Sequence, residues 1–551
     1  MLAVNDAGPP LFVPRDSRLR AAGGVLLGLL LVAVTAGFGF RPWSNPAPSY
    51  DETAHVAGAY ENAFHGSNEL NAEHPPLLKQ LAGWSLRLAV PLDTKRLDAR
   101  MEQEDEWHFG QSLLYDRHDL TPAILRAART PSALFALAGG ALVALAAFLV
   151  FGRVGAFAAA GLYALSPTIH AYGALLLTDL PAGVLMLAAS MCAWRGTRDG
   201  HRAWLAAAGA VLAAACWTKV TAVVAVPAIG ALLLVHARRG DGTAATANRA
   251  ASAIVALLAG LVAGFVLLNG GSLDFGAYAR GATLLGFNHA PGFPSFANGE
   301  FRTESWWGYF PYTMLVKSGL GELVALLLLA PAWLARRNAG APVVASAGSR
   351  GLLAFVLVPA LAYLLLVIVA APNLSHRYVV PAMPALFVVM AAPVAWLSGR
   401  LRALALAALL ALQATSALAA QPDPLSFFNG LLGCRDIAAI HCLDDTNIDG
   451  GQNIARIWPA VAARLAPGEA LLVDYYGTAQ MTAYLPNFRS LRDADWTAPG
   501  PGLYVLSAHY VNRRRLTLEH PESNPLLLGA SRDDAIGNSY FIVDLRPQQQ
   551  R

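Results

Sequence analysis

The sequence predicts a polytopic α-helical membrane protein with about eleven transmembrane helices and a small α/β extracytoplasmic domain at the C-terminal end. Of its 551 residues, 55% are hydrophobic and only 14% are charged, whereas soluble domains carry about 25% charged residues. The mean hydropathy is +0.44. Charged residues concentrate in two segments, 41–130 and 421–551. This composition excludes a soluble enzyme, a disordered chain and a nucleic-acid-binding protein.

The membrane helices are predicted from apolar runs that reach the ~17–25 residues needed to cross a bilayer. Arginines precede the first run and follow the second, fourth, sixth, eighth and tenth runs. Because basic residues prefer the cytoplasmic side of a membrane, this pattern places residues 1–20 in the cytoplasm and both charged segments outside. The first run is long and has no evident cleavage site, so it is predicted to be a retained helix rather than a signal peptide. The runs are 21–40, 131–151, 155–176, 180–194, 203–217, 220–236, 251–269, 318–335, 351–371, 378–397 and 402–420.

The external segments carry their own elements. Segment 41–130 contains amphipathic stretches at 53–64 and 77–89, which suit helices lying on the membrane surface. A further external loop, 271–317, is rich in glycine and aromatic residues. Segment 421–551 holds three short apolar runs, separated by helix-like pieces, that predict the strands of a small α/β domain. Two of the four cysteines, Cys434 and Cys442, lie there and are candidates for an extracytoplasmic disulfide.

Acidic and histidine residues cluster in the first external segment. Asp51 and Glu52 follow the first apolar run, and His55 lies one helical turn after Asp51. The group is either the capped first turn of a helix or a carboxylate–histidine set for general-base chemistry at a hydroxyl group. Glu73 and His74 precede two prolines. They are either metal ligands or the start of another helix.

Three further charged residues lie at external joints between apolar runs. Asp179 either caps the helix of the fourth run or has a function, since a charge at the bilayer face is energetically costly. Lys219 and Arg377 go against the preference of basic residues for the cytoplasmic side. They either extend to lipid headgroups or bind an anionic group, for which phosphate is the natural match.

Taken together, these motifs resemble the membrane-embedded glycosyltransferases of the protein O-mannosyltransferase and aminoarabinose-transferase type, glycosyltransferase family 39 and its relatives. The resemblance covers most of the chain. In chain order, the motifs that carry it are Asp51-Glu52-x-x-His55, Glu73-His-Pro-Pro-Leu-Leu-Lys79, Ser166-Pro167 through His170 to Thr178-Asp179, Trp217-Thr-Lys219, Gly299-Glu300, Trp306-Trp307-x-Tyr309-Phe310-Pro311 with Lys317, His376-Arg377-Tyr378, and Thr446 to Gln452.

The resemblance implies a hexosyl- or pentosyltransferase that moves a sugar, with inversion, from a polyprenyl-phosphate donor to a hydroxyl or amine group of a glycan, lipid or protein acceptor. It implies no required cofactor, and it leaves open a divalent metal. The site residues implied are Asp51 as the base, with Glu52 and Asp179 as the other catalytic residues, then His55, Lys219, Arg377, His170, Glu300 and Tyr378 as substrate-binding residues, and Glu73 as the metal ligand.

The same resemblance implies the setting of the enzyme. Residues 21–420 are expected to form the membrane glycosyltransferase domain in a bacterial inner membrane, and residues 421–551 a periplasmic domain. The chain departs from its relatives at Gly450, where they usually carry Trp. The rival hypotheses are a transporter or flippase of lipid-linked sugars and a non-catalytic membrane scaffold. No internal repeat of the kind common in transporters is evident, and no nucleic-acid partner is expected.

Overall fold

The fold was analysed in a computed structural model that describes residues 41–238, 244–273, 275–288, 295–340, 347–434, 441–531, 534–537 and 539–547. The first predicted membrane run, 21–40, lies outside these residues. Most of the described chain is helical, and a small sheet lies near its C-terminal end.

The apolar helices confirm the membrane character of the chain but not the number of spans. Within the described residues, six helices are long and apolar enough to cross a bilayer, fewer than the ten predicted runs that fall in this part of the chain. One predicted span, now the helix Arg202–Thr218, is only 17 residues long, so it rises about 25 Å against a hydrocarbon core of ~30 Å. The six are His118–Ala164, Val220–Arg238, Ala247–Leu268, Arg350–Ala370, His376–Ala395 and Gly399–Ala419.

The second predicted run and the first half of the third lie in one helical stretch, Thr121–Ala164, which is interrupted at Gly152, whereas the second half of the third run holds only the short helix Pro167–Tyr172. The φ of Gly152 is 74°, in the left-handed region that favours glycine. The interruption falls where the sequence predicts a break between two spans.

The structure contains the following further helical segments, several of which are parts of these spans. The α-helices are Arg41–Ser44, Glu52–His65, Leu77–Ala89, Thr94–Met101, Glu106–Tyr115, Pro167–Tyr172, Asp179–Asp199, Ala225–Arg238, Ala244–Leu268, Gly276–Asn288, Tyr309–Lys317, Leu320–Asn338, Ala347–Ala370, Met383–Met390, Ala392–Ala395, Ile454–Val461, Asp493–Thr497, Ala508–Thr517 and Pro525–Gly529. Short 3₁₀ helices include His118–Leu120, Val220–Val224, His376–Ala382, Pro424–Ser426, Leu431–Gly433, Asp445–Asn447, Ala462–Arg464, Met481–Ala483 and Pro521–Ser523.

Both amphipathic stretches of the first charged segment form helices, Glu52–His65 and Leu77–Ala89. The first of them differs from the surface helix that the sequence predicts. All ten residues from Glu52 to Glu61 are buried, because the helix packs against Leu77–Ala89 on one side and Glu106–Tyr115 on the other. It is therefore a core helix of the protein.

The three predicted apolar runs of the tail form the strands Leu471–Asp474, Leu503–Ser507 and Tyr540–Asp544. They belong to a five-stranded sheet in which the first three strands are parallel and the last two run antiparallel to their neighbours. Cys434 and Cys442 form a disulfide. In spatial order the strands are Phe488–Ser490, Leu471–Asp474, Leu503–Ser507, Tyr540–Asp544 and Ala535–Ile536. A separate antiparallel hairpin pairs Ser295–Ala297 with Glu300–Arg302.

The two charged segments share one hydrophobic core. Val56 and Phe109 from the first segment pack in the same cluster as Ile454 and Val505 from the tail. Polar contacts reinforce the junction, since the Thr478 hydroxyl donates to the Tyr50 carbonyl at 2.7 Å. Residues more than 400 positions apart in the sequence therefore belong to one continuous core.

Candidate active site

A cavity of about 600 Å³ lies where the first charged segment, the tail and the apolar helices meet. Its wall includes the apolar side chains Leu366 and Val367 of the candidate membrane helix Arg350–Ala370. Seven of the ten predicted site residues line it: Asp51, His55, Glu73, Asp179, Lys219, Arg377 and Tyr378. Tertiary packing thus brings together residues from five separate motifs.

Two acid–cation pairs are the main electrostatic feature of the cavity. Arg377 contacts the carboxylate of Asp51, and Lys219 Nζ lies 3.1 Å from Asp179 Oδ1. Both cations also lie over the ring of Tyr378, at 5.5 and 5.6 Å from its centroid. Opposite charges are therefore balanced pairwise around one aromatic ring.

The pairing fixes the ionisation of Asp51. Burial acts to raise its pKa, but the charge and hydrogen bond of Arg377, together with His55 and His74, outweigh burial and hold the pKa at about 2. The carboxyl group is therefore ionised throughout the physiological pH range. About a fifth of each side chain is exposed, 22% for Asp51 and 19% for Arg377, so the pair is accessible from the cavity.

Asp51 stands immediately before the helix Glu52–His65, and Glu52 anchors that helix. Glu52 is fully buried and does not line the cavity. Its carboxylate accepts hydrogen bonds from Arg129 at 2.8 and 2.6 Å, from the Leu176 amide at 2.8 Å and from the Ser49 amide at 2.8 Å. These contacts make Glu52 a buried partner of Arg129, a residue that the sequence analysis does not single out, whereas its predicted catalytic role stays a prediction.

Arg377 is positioned by a contact from the tail. The His376 amide donates to the Asn447 side-chain oxygen at 2.8 Å. The Asn447 side-chain amide donates in turn to the Leu374 carbonyl at 2.8 Å and to the Tyr309 hydroxyl at 3.1 Å. The motif at 446–452 therefore holds the segment that carries Arg377.

Asp179 and Lys219 occupy opposite ends of two packed helices. Asp179 is the first residue of Asp179–Asp199, and Lys219 directly follows Arg202–Thr218. A carboxylate is stabilised at a helix N-terminus and an ammonium group at a C-terminus. Their ion pair joins the two helix ends at the cavity wall.

His55 and the Glu73–His74 pair lie side by side in the cavity. The rings of His55 and His74 meet edge to face, with centroids 4.7 Å apart. Burial lowers the pKa of His55 to about 4. His74 Nε2 lies 3.5 Å from the Glu73 carboxylate. Among the residues that the structure describes, no group of three or more His, Cys, Asp or Glu side chains converges as metal ligands, so a metal at Glu73 stays a prediction.

Two predicted substrate-binding residues lie away from the cavity. His170 is buried, and its Nε2 lies 2.7 Å from the carbonyl of Ala164 within the same local turn. Glu300 is 65% exposed on the hairpin strand Glu300–Arg302, where it pairs with Arg302 at 2.7 Å. Neither residue lines the cavity.

Other cavity residues come from positions that the sequence analysis does not single out. Tyr50, Trp107 and Tyr476 form an aromatic rim, with Tyr50 5.7 Å from Trp107 and 5.2 Å from Tyr476 between ring centroids. Asp445 lies beside them. Its proximity to the motif at 446–452 is the one sequence signal that points toward it.

One protein-family profile matches part of the chain. The profile of the family described as dolichyl-phosphate-mannose-protein mannosyltransferase matches residues 120–266, about a quarter of the chain. The matched segment contains the motifs at Asp179 and Lys219. The resemblance predicted from the motifs is thereby confirmed over this segment. A comparison with curated proteins found no match.

Solved structures of membrane glycosyltransferases are similar at low identity. ArnT from Cupriavidus metallidurans bound to undecaprenyl phosphate is 16% identical, with 96% of this chain and all of that chain covered at a TM-score of 0.48. The arabinosyltransferase EmbB from Mycobacterium smegmatis is 16% identical over 72% of this chain and 32% of that chain, at 0.41. The oligosaccharyltransferase AglB from Archaeoglobus fulgidus, in complex with an inhibitory peptide and a dolichol-phosphate, is 10% identical over 97% and 75%, at 0.45. Because all three TM-scores lie below 0.5, these similarities carry no conclusion about this chain.

Proposed function

We propose that this protein is an inverting glycosyltransferase that moves a sugar from a polyprenyl-phosphate donor to a hydroxyl or amine acceptor at the periplasmic face of a bacterial inner membrane. The observation that carries the proposal is the convergence of two acid–cation pairs in one cavity beside an apolar membrane helix. A lipid phosphate needs cations for its headgroup and an apolar surface for its chain, and this cavity borders both.

The cations serve the leaving group. In the proposed reaction the phosphate of the donor lies between Lys219 and Arg377. The anomeric C–O bond to this phosphate breaks while a new bond forms from the acceptor oxygen or nitrogen to the same carbon. The electron pair of the broken bond stays on the phosphate, whose negative charge therefore grows. Fixed cations stabilise that growing charge more in the transition state than in the ground state.

The carboxylates serve the acceptor and the cations. Asp51 takes the proton of the acceptor group as it attacks, because its carboxylate is ionised and accessible from the cavity. Arg377 binds Asp51 before the donor arrives, and an anionic phosphate competes for the same guanidinium, which frees the carboxylate to act as the base. Asp179 holds Lys219 in place through the ion pair at 3.1 Å, and Tyr378 supplies the ring beneath both cations.

The test is sugar transfer by the purified full chain in lipid vesicles. The donor panel contains polyprenyl-phosphate mannose, glucose, arabinose, aminoarabinose and galacturonic acid, and a bacterial membrane extract supplies acceptors. We expect release of polyprenyl phosphate from at least one donor. We expect Asp51→Asn to lower the rate by ~10²–10⁴-fold, the usual contribution of a positioned base.

The matched control is Asp119→Asn, which removes a carboxylate that is more than half exposed and pairs with Arg117 at the surface. Equal rates for Asp51→Asn and Asp119→Asn would remove Asp51 as the base. If folded wild-type protein released no polyprenyl phosphate from any donor but moved the labelled lipid across the bilayer, the chain would be a flippase and not a transferase.

A further inference from the structure

His55 has a fixed tautomer. Its Nδ1 lies 2.6 Å from the carbonyl oxygen of Leu176. A carbonyl oxygen only accepts hydrogen bonds, so Nδ1 must carry the proton. Burial of the ring favours the neutral imidazole over its charged form. Its Nε2 is consequently an unprotonated hydrogen-bond acceptor.

This acceptor atom has no hydrogen-bond partner among the residues that the structure describes. The side chain is only 3% exposed, yet it lines the cavity beside Asp51. A buried polar atom without a partner is costly and rare in native proteins. The local arrangement therefore suits a ligand that brings an O–H or N–H group to Nε2.

We infer that His55 Nε2 accepts a hydrogen bond from a hydroxyl group of the sugar that is attached directly to the donor phosphate. The inference rests on the proposed function. His55 lies one helical turn from Asp51, and residues so spaced have Cβ atoms about 5–6 Å apart. Asp51 contacts Arg377, a proposed phosphate ligand. A single sugar ring spans that distance, so the first sugar on the phosphate is the ligand group that must pass His55.

The backbone of Leu176 fixes this geometry from both of its polar groups. Its carbonyl oxygen faces His55 Nδ1 at 2.6 Å, and its amide donates to the buried Glu52 carboxylate at 2.8 Å. The two peptide groups that flank one residue thus hold the histidine ring and the anchor of its helix. A preorganised acceptor of this kind selects a sugar with a hydroxyl at the matching position, because a sugar without it leaves Nε2 unpaired.

The test uses two variants that separate the ring nitrogens. His55→Asn places an amide near the position of Nδ1, which keeps the contact to Leu176 and removes the acceptor at Nε2. His55→Gln places its amide oxygen near the position of Nε2, which keeps an acceptor there and removes the contact to Leu176. Binding of bare polyprenyl phosphate and of each sugar-bearing lipid in the panel is measured for both variants and for wild type.

We expect wild type to bind at least one sugar-bearing lipid roughly tenfold tighter than bare polyprenyl phosphate, the scale of one well-placed hydrogen bond. His55→Asn should lose this gain and still bind the bare lipid normally, whereas His55→Gln should keep part of it. With a deoxy analogue that lacks the contacted hydroxyl, wild type and His55→Asn should bind equally well.

Several results would overturn the inference. If His55→Gln lost the gain and His55→Asn kept it, the ring would serve only to hold Leu176. If wild type bound every sugar-bearing lipid no better than the bare lipid, or if binding depended on Zn²⁺ and was abolished by a chelator, the Nε2 atom would have another ligand.

Bare-lipid binding that Arg377→Met weakens but His55→Asn leaves unchanged would support the phosphate site independently. Failure of wild type to bind polyprenyl phosphate at all would remove the proposed function together with this inference.

Discussion

Glu52 and Asp51 are neighbours in the sequence, but Asp51 lines the cavity whereas Glu52 is buried against Arg129. A single pair of variants can therefore test whether one residue serves activity and the other stability. We predict that Glu52→Gln destabilises the fold, whereas Asp51→Asn removes activity at little cost to the fold. Glu52 and Arg129 are both fully buried. A glutamine has one acceptor oxygen, and its NH₂ group would face an amide donor of either Leu176 or Ser49. It would also remove the carboxylate charge that pairs with Arg129.

The magnitude follows from the burial of the pair. Removing one partner of a buried ion pair costs about 3–5 kcal/mol, because the other charge stays desolvated. Arg129 also donates to the carbonyls of Asn45 and Ala47 at 2.6 and 2.8 Å. Glu52→Gln keeps these contacts, whereas any replacement of Arg129 removes them. The double variant Glu52→Met with Arg129→Met buries no charge but lacks these hydrogen bonds, so it should recover only part of the lost stability.

The assay is the free energy of unfolding in detergent, followed by tryptophan fluorescence during titration with sodium dodecyl sulfate. Turnover is measured on the same preparations at a temperature where each variant is folded. We expect Glu52→Gln to lose stability and keep most of its turnover. A Glu52→Gln variant as stable as wild type, with turnover as low as that of Asp51→Asn, would refute the reasoning and return Glu52 to the catalytic residues.

Three further outcomes are expected. Lys219→Met should lower kcat by ~10²–10³-fold, the usual cost of one lost group that stabilises transition-state charge, as measured by donor turnover at saturating acceptor. Arg377 contributes most to lowering the pKa of Asp51 to about 2, so the carboxylate stays ionised down to strongly acidic pH. Arg377→Met should raise that pKa and move the acid limb of the kcat/KM profile to higher pH. An acid limb at the same pH in wild type and Arg377→Met would contradict the pairing. Reduction of the Cys434–Cys442 disulfide should lower stability by about 2–3 kcal/mol, the value expected for a short closed loop, with the double serine variant insensitive to reductant as the control.

The sequence determined the membrane character, the tail strands and the residue types of the site. Long apolar runs are poorly solvated by water and favour a bilayer. The short apolar runs are too short to span a membrane and form strands at Leu471–Asp474, Leu503–Ser507 and Tyr540–Asp544. The motifs that carry Asp179 and Lys219 are likewise readable without coordinates, because their charges stand at the ends of apolar runs where an unused charge is expensive.

Only the tertiary structure decided which of these charges line the cavity. Asp51 and Glu52 carry the same chemistry in adjacent positions, but successive helical residues point in different directions. One reaches the cavity and the other reaches Arg129, 77 positions away. The partner of each charge depends on how distant segments pack, and no local pattern encodes that packing. The same reason applies to three other features, which depend on the packing of the two charged segments into one core. They are the aromatic rim, the hydrogen bond from the His376 amide to Asn447, and the Nε2 atom of His55, which has no hydrogen-bond partner in the described part of the chain.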